Sequence, residues 1–280
     1  MTGKELFDNV SIETSRLTTH AYSTSFSIGI RCLAKELRNP IYSIYGFVRF
    51  ADEIVDTFHD FNKAELLDRF RADTLRAIEE KISLNPILNS FQATVHQYGI
   101  DLGLIDCFLD SMAMDLTKTT HDNTSFNTYV LGSAEVVGLM CLHVFCQRDT
   151  NLFEQLKPNA MKLGSAFQKI NFLRDLNADF IGLGRSYFPG IDMRQFDQAT
   201  KEKIEQSIFE DFQQGFEGIK KLPRSSKLGV YVAYVYYLAL FRKIRNTPPD
   251  FVLKERISIR NRQKLSILCA SYIKHQLNMI

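Results

Sequence analysis

The chain has 280 residues, 45% hydrophobic and 24% charged, an ordinary globular balance that excludes a disordered or fibrous protein. Its 34 Lys and Arg nearly cancel its 32 Asp and Glu, leaving a net charge of +2. That balance removes the electrostatic case for nucleic acid as a partner. Five dispersed cysteines without a CxxC pair argue against a disulfide framework or structural zinc and for a reducing compartment. The first ten residues are polar and carry Lys4, Glu5 and Asp8, unlike a secretory leader. No repeat or linker-like shift in composition divides the chain, so residues 1–280 are read as one domain.

Helical periodicity dominates. Asn39-Pro40 predicts a helix start, with Asn as N-cap and Pro in the first turn. Ile41, Ile44, Tyr45, Val48, Ala51 and Val55 follow at helical spacing. Asn62 caps a second helix over Lys63–Ile82, and further helices are predicted over 87–98, ending at Gly99, and over 102–117, 126–145 and 159–180. The last third adds 201–221, 227–245 and 257–276, punctuated by Pro223 and Pro248-Pro249. No segment alternates with period two between hairpin turns. The fold class is all-α. Leu228–Phe241 is the longest uncharged apolar stretch, too short to span a bilayer and read as a buried helix. With 22 Phe, 11 Tyr and no Trp, the interior suits an apolar ligand or a bulky core.

Two acidic clusters interrupt otherwise apolar helices. Asp52 and Asp56 stand at i and i+4, and Asn171, Asp175 and Asp179 form an i, i+4, i+8 ladder. These side chains offer the hard oxygens that Mg²⁺ takes one or two at a time alongside phosphate. About four acidic i, i+4 pairs arise by chance in a chain of this composition. Spacing alone therefore favours a solvated stripe over a metal site. Arg49 and Arg174 beside the acids suit either structural ion pairs or bidentate contacts to a diphosphate.

Ile41–Asp56 (IYSIYGFVRFADEIVD) resembles the first aspartate-rich motif of the phytoene/squalene synthase family, and Leu163–Asp179 (LGSAFQKINFLRDLNAD) resembles its NxxRDxxxD motif. Gly184–Pro189 (GRSYFP) is similar to the GRxYxP segment, and Tyr22–Phe26 (YSTSF) to the HSxSF segment, with Tyr in place of His. Tyr129–Gly138 is similar to the YxxxVAGxVG helix, and Arg256–Lys264 to a basic C-terminal helix. The matches are collinear over nearly the whole chain.

The resemblance implies a single-domain isoprenoid synthase helical bundle with a central apolar cavity. It implies Mg²⁺-dependent joining of two allylic prenyl diphosphates head to head through a cyclopropyl diphosphate, most simply two geranylgeranyl diphosphates to phytoene. Farnesyl-using squalene, dehydrosqualene or hydroxysqualene synthases are the alternative; a non-catalytic scaffold relative is the alternative of another class. By carry-over, Asp52 and Asp56 bind metal at one diphosphate and Asn171, Asp175 and Asp179 at the other. Arg49, Arg174, Tyr45, Ser23, Thr24 and Ser25 contact diphosphate, while Phe26, Tyr129, Gln168 and Tyr237 line the prenyl cavity. Departures from the pattern are Glu53, Thr24, Ala178 and Glu135, the last placing a carboxylate beside the expected cavity. Neither a GxGxxG element nor an uncharged C-terminal anchor is present, which favours a reductant-free product. A cytoplasmic protein with peripheral membrane contact through its oily product is the expectation for location; oligomeric state is left open.

Overall fold

The computed structural model describes residues 1–179, 184–191 and 196–280. Among these, every regular element is helical, and one isolated bridge joins Thr120 to Ser186. The all-α expectation holds. The residue Phe180, at the end of one predicted helix, lies outside the described residues.

Three helices precede or extend the sequence prediction. Helix α1 (Gly3–Tyr22) starts on a capping box, in which the Thr2 hydroxyl accepts from the Glu5 amide and the Glu5 carboxylate accepts from the Thr2 amide. Its buried face is Ser11, Ser15, Thr18 and Thr19, with Ser15 hydrogen-bonded to Ser90 at 2.7 Å. Apolar periodicity misses α1 because its inward side chains are hydroxyls while Leu6, Val10 and Leu17 point outward. Ser23 then caps α2 (Thr24–Arg31), its hydroxyl accepting from the Phe26 amide. Helix α3 (Lys35–Asp56) begins before Asn39, so Pro40 sits in its second turn rather than its first. The fully buried Leu37 and a hydrogen bond from the Ala34 amide to the Ser225 carbonyl hold this extra turn, offsetting the one intrahelical bond proline forfeits.

Helices α4 (Lys63–Glu80), α5 (Pro86–Tyr98) and α6 (Leu102–Thr117) match their predicted spans closely, on side-chain caps from Asn62, Asn85 and Asp101. Gly99 ends α5 in the left-handed conformation (φ 66°). With α3 they build one core centred on Phe47, whose ring stacks on Phe91 at 4.0 Å and meets Phe108 at 5.4 Å.

The predicted helix over 126–145 is broken in the middle. Helix α7 (Asn123–Val130) runs through a π-turn at Leu131–Glu135 into α8 (Val136–Cys146). A methyl group on Gly132 would stand 2.6 Å from the Cys107 carbonyl of α6, and one on Gly164 would stand 2.7 Å from the Ala134 carbonyl. The widened turn is thus wedged between α6 and α9 where only bare backbone fits. The stretch Asn123–Cys146 is long and apolar enough to cross a bilayer. Here Val136, Leu139, Met140, Leu142 and Val144 are buried inside the protein, as in a core helix.

Helix α9 (Thr150–Asn177) starts nine residues before its predicted beginning and carries Pro158 internally. It packs against α8 and the π-turn on one side and against α10 (Gln198–Lys221) and α11 (Arg224–Arg245), the latter containing the buried Tyr231, Val232, Tyr237 and Phe241. A short α12 (Pro249–Val252) precedes α13 (Asn261–Gln276). Residues 256–260 carry no helix, so the first half of the basic segment predicted as helix is a strap leading to α13, which starts at Asn261. Between these helices lies a cavity of about 560 Å³.

Candidate active site

The cavity is apolar along most of its length and polar at one end. Ile30, Leu33, Ile41, Phe145, Leu156 and Leu222 line its depth. Its mouth is where the two acidic clusters meet: Asp52 and Asp56 from α3 and Asn171, Asp175 and Asp179 from α9 and its extension all face it. Residues that spacing put on separate helices therefore converge. Asp179 is the exception in form, because α9 ends at Asn177 and Asp179 lies in the π-type turn beyond it.

Burial and mutual repulsion strain this cluster electrostatically. Asp52 is pushed up to about 8, first by burial and then by Asp56. Asp179 is pushed up to about 7, by burial and then by Asp175 and Asp56. That last influence shows that the acids of the two helices feel one another across the mouth.

Guanidinium groups offset part of the charge. Arg174 forks onto both oxygens of its neighbour Asp175, the shortest contact being 2.5 Å. Arg256, from the strap before α13, donates to the same carboxylate at 2.8 Å. Arg49 pairs with the buried Glu53 and lies 4.4 Å from the centre of the Tyr22 ring. Glu53 is thus the anchor of an arginine rather than a member of the cavity wall. Tyr22 stands at the mouth, half exposed.

The other sequence-predicted residues divide cleanly. Ser23, Ser25, Phe26 and Tyr45 line the cavity from α2 and α3. Phe26 lies 5.9 Å from the Tyr45 ring and 6.0 Å from Tyr237, and burial pushes Tyr45 up to about 12, keeping its hydroxyl protonated. Tyr237 donates to the Asn171 amide oxygen at 3.3 Å and stacks on Phe167 at 4.0 Å. Gln168 accepts from the other end of Asn171 at 3.4 Å. Thr24 does not belong: it is exposed, absent from the wall, and accepts a hydrogen bond from Lys264 at 2.6 Å. One residue earlier or later on α2 points inward, and 100° of helical rotation carries Thr24 out. Glu135 is displaced too. The π-turn presents Ser133 and Ala134 to the cavity, while Glu135 sits half-buried among Lys162, Lys169 and Asp211.

Asp115 was not singled out from the sequence, and Arg185 entered it only within the GRxYxP-like segment, without a role. Asp115, near the end of α6, is buried and faces the cavity, its carboxylate accepting from the Tyr129 hydroxyl at 2.6 Å. Burial raises it to about 6 despite the nearby Arg185. Its signal was an acid on the apolar face of α6, in step with Phe108 and Ser111. Arg185 follows Gly184 (φ 65°) and is placed by the hydrogen bond from the Ser186 amide to the Thr119 carbonyl. It donates to Asp56 and to the Asp115 carbonyl, both at 2.9 Å, tying the acidic end of α3 to α6.

Among the described residues no three His, Cys, Asp or Glu side chains stand close enough to grip a metal ion by themselves. The donor set nevertheless fits magnesium. Its carboxylates and amide oxygen are hard ligands, burial and neighbouring carboxylates raise Asp52 and Asp179, and Mg²⁺ binds through one or two carboxylates plus substrate phosphate.

The family model Squalene/phytoene synthase matches residues 19–263 of this chain. A presqualene diphosphate synthase of Zymomonas mobilis is 32% identical over 191 residues, which are 66% of this chain and 62% of that protein. The match thus spans under two thirds of that relative's length. A phytoene synthase of Arthrospira platensis is 24% identical over 92% of this chain and 91% of its own. A crystal structure of a dehydrosqualene synthase in complex with ligand superposes with a TM-score of 0.82 at 21% identity, covering 96% of this chain and 98% of that one. The fold is shared with that structure.

Proposed function

The chain belongs to the squalene/phytoene synthase family, and on that premise we propose that it joins two allylic prenyl diphosphates head to head through a cyclopropyl diphosphate. The observation that carries the reading is the convergence of two i, i+4 acidic pairs on one end of an otherwise apolar cavity. A substrate with an anionic head and a long hydrocarbon tail is divided the same way.

Asp52 and Asp56 would hold magnesium for one diphosphate, and Asn171, Asp175 and Asp179 for the other. When bound, the metal supplies Lewis acidity that stabilises the departing diphosphate. Arg174 and Arg256 turn from Asp175 to phosphate oxygens, and Arg49, held by Glu53, presents its free edge to the mouth. The Ser23, Ser25 and Tyr45 hydroxyls donate to the same oxygens. Below them Phe26, Phe167 and Tyr237 exclude water from the allylic cation and face it with π-density. Tyr129, with its hydroxyl given to Asp115, forms wall and supplies no proton.

Geranylgeranyl diphosphate going to phytoene is the first reading, supported by phytoene synthases that match nearly the whole chain. Farnesyl diphosphate is the second, supported by the name of the Zymomonas relative. A scaffold that has lost the chemistry is disfavoured by the retention of all five oxygen ligands. We place the enzyme in the cytoplasm. Incubation with each labelled diphosphate and Mg²⁺, with products identified by mass spectrometry, tests the reading: a C40 or C30 hydrocarbon or cyclopropyl diphosphate is expected, and no apolar product from either substrate overturns it.

A further inference from the structure

The guanidinium that meets Asp175 from Arg256 is carried by a segment with no helix of its own to fix it. Residues 253–260, the strap and the turn before it, join α12 to α13. Their exposure alternates at the far end: Ile257 and Ile259 are buried in the core that holds Phe241 and Ile244, while Arg256, Ser258 and Arg260 are exposed. A segment anchored by every second side chain turns the ones between outward, which decides the direction of Arg256 but not its place along α9. Two side chains that reach the backbone decide that. Asn177, the last residue of α9, donates its side-chain amide to the Leu253 carbonyl at 2.5 Å. Lys243, in the last turn of α11, donates to the Ser258 carbonyl at 2.8 Å. Between these two ties Arg256 donates to Asp175 at 2.8 Å. Asn177 is absent from the cavity wall and stands about 200° around the helix from Asp175. The chain is therefore tied on one side of the α9 terminus and delivers its guanidinium on the other. Three residues reach at most about 10 Å, so a shift of Leu253 carries Arg256 with it.

We propose that Asn177 is a positioning residue for the diphosphate site: its amide pins the strap at Leu253, so that Arg256 stands where it passes from Asp175 to a diphosphate oxygen. The proposal rests on the reaction proposed above, which supplies the diphosphate. Arg256 is long and 70% exposed, and a side chain of that kind loses rotamer freedom when it takes up a ligand. Holding its backbone in advance removes part of that cost. The tie is made to a neutral carbonyl and asks nothing of the ligand, so it persists while the guanidinium changes partner. The position requires a donor, because a carbonyl only accepts. A role confined to ending α9 does not account for the bond: the open groups at a helix C-terminus are carbonyls, and Asn177 gives its amide to a carbonyl 76 residues further on.

The test is a double-mutant cycle on the full chain, read by calorimetric titration with inorganic diphosphate in the presence of Mg²⁺ and by steady-state kinetics. Asn177→Leu should weaken diphosphate binding about tenfold, the usual cost of losing a hydrogen bond one step behind a ligand-binding group. KM should rise in proportion while kcat stays within about twofold, with helical circular dichroism unchanged. Arg256→Met should weaken binding at least as much. Adding Asn177→Leu to Arg256→Met should then cost less than about twofold more, since the amide has no arginine left to place. Lys243→Met loosens the second tie and should act in the same direction by about threefold, again silent beside Arg256→Met; it decides the matter if Asn177→Leu does not fold. Wild-type diphosphate affinity in a folded Asn177→Leu overturns the proposal, and so does a loss that persists in full in the Arg256→Met background. A wild-type chain that takes up no diphosphate removes the proposal and the reaction together. Diphosphate binding with the expected cycle, but no turnover of any prenyl diphosphate, removes the reaction alone.

Discussion

The two acid-bearing helices carry the same i, i+4 spacing and solve the same electrostatic problem in opposite order. On α3 the first acid, Asp52, stays raised by burial and by Asp56 despite the nearby Arg49, and the second, Asp56, is met by Arg185. On α9 the first acid, Asp175, is met by Arg174 and Arg256, and the second, Asp179, carries the raised pKa. Each helix therefore offers one neutralised and one frustrated carboxylate. The neutralising cations differ in kind. Arg185 is nearly buried and Arg256 is 70% exposed, so one is part of the fold and the other is free to leave for a ligand.

The sharpest way to break this equivalence is to remove one acid from each helix. Asp52→Ala and Asp175→Ala should each lower turnover by about 10²-fold or more with helical circular dichroism unchanged. Loss from one helix only would show that the second diphosphate needs no carboxylate. Next, Arg185→Met should destabilise the chain by about 3–5 kcal/mol, because Asp56 and Asp115 then lose a buried partner. Arg256→Met should cost no more than about 1 kcal/mol, its effect appearing in KM. Urea denaturation of both variants makes the comparison, and equal costs would erase the distinction between a fold cation and a ligand cation.

A smaller effect concerns pH. Asp52, Asp179 and Asp115 have folded-state pKa values of about 8, 7 and 6, above the ordinary carboxylate range near 4. Their protonated forms favour the fold, so this stability is present at low pH and lost as pH rises through 6 to 8. The Tm without added metal should fall by a few degrees between pH 5.5 and 8.5. Magnesium with inorganic diphosphate should restore it most at the upper end, and Asp52→Asn should flatten the slope. A Tm that rises over this window contradicts the frustrated-acid account. The smallest change is expected from Glu135→Gln, which should alter stability by about 0.5 kcal/mol or less and leave product length untouched, since the side chain faces Lys162 and Lys169. A shifted product profile would return Glu135 to the cavity.

How far the residues could be read one by one depended on periodicity. Helices α4, α5 and α6 were legible because their caps and apolar stripes agree with their burial. Helix α1 was not, because Ser11, Ser15, Thr18 and Thr19 do the packing; nor was the early start of α3, which Leu37 and Ser225 enforce from elsewhere in the chain. Asp52, Asp56, Asn171 and Asp175 were visible as acids and amides in apolar company. Asp115 was hidden, since a single acid in α6 has no spacing to betray it, and Arg185 was visible only as one letter of the GRxYxP-like segment, its partners unreadable.

Local order alone dictated that this chain is helical, where most helices run, and which oxygen-bearing side chains share a helical face, because these follow from 3.6-residue periodicity and capping. Only packing decided that the two faces look at one another, that Thr24 and Glu135 look away, and that Arg185 and Arg256 reach back across 129 and 81 residues to reach Asp56 and Asp175. Such distances are fixed by which helices touch, and a contact between remote segments leaves no period in the sequence.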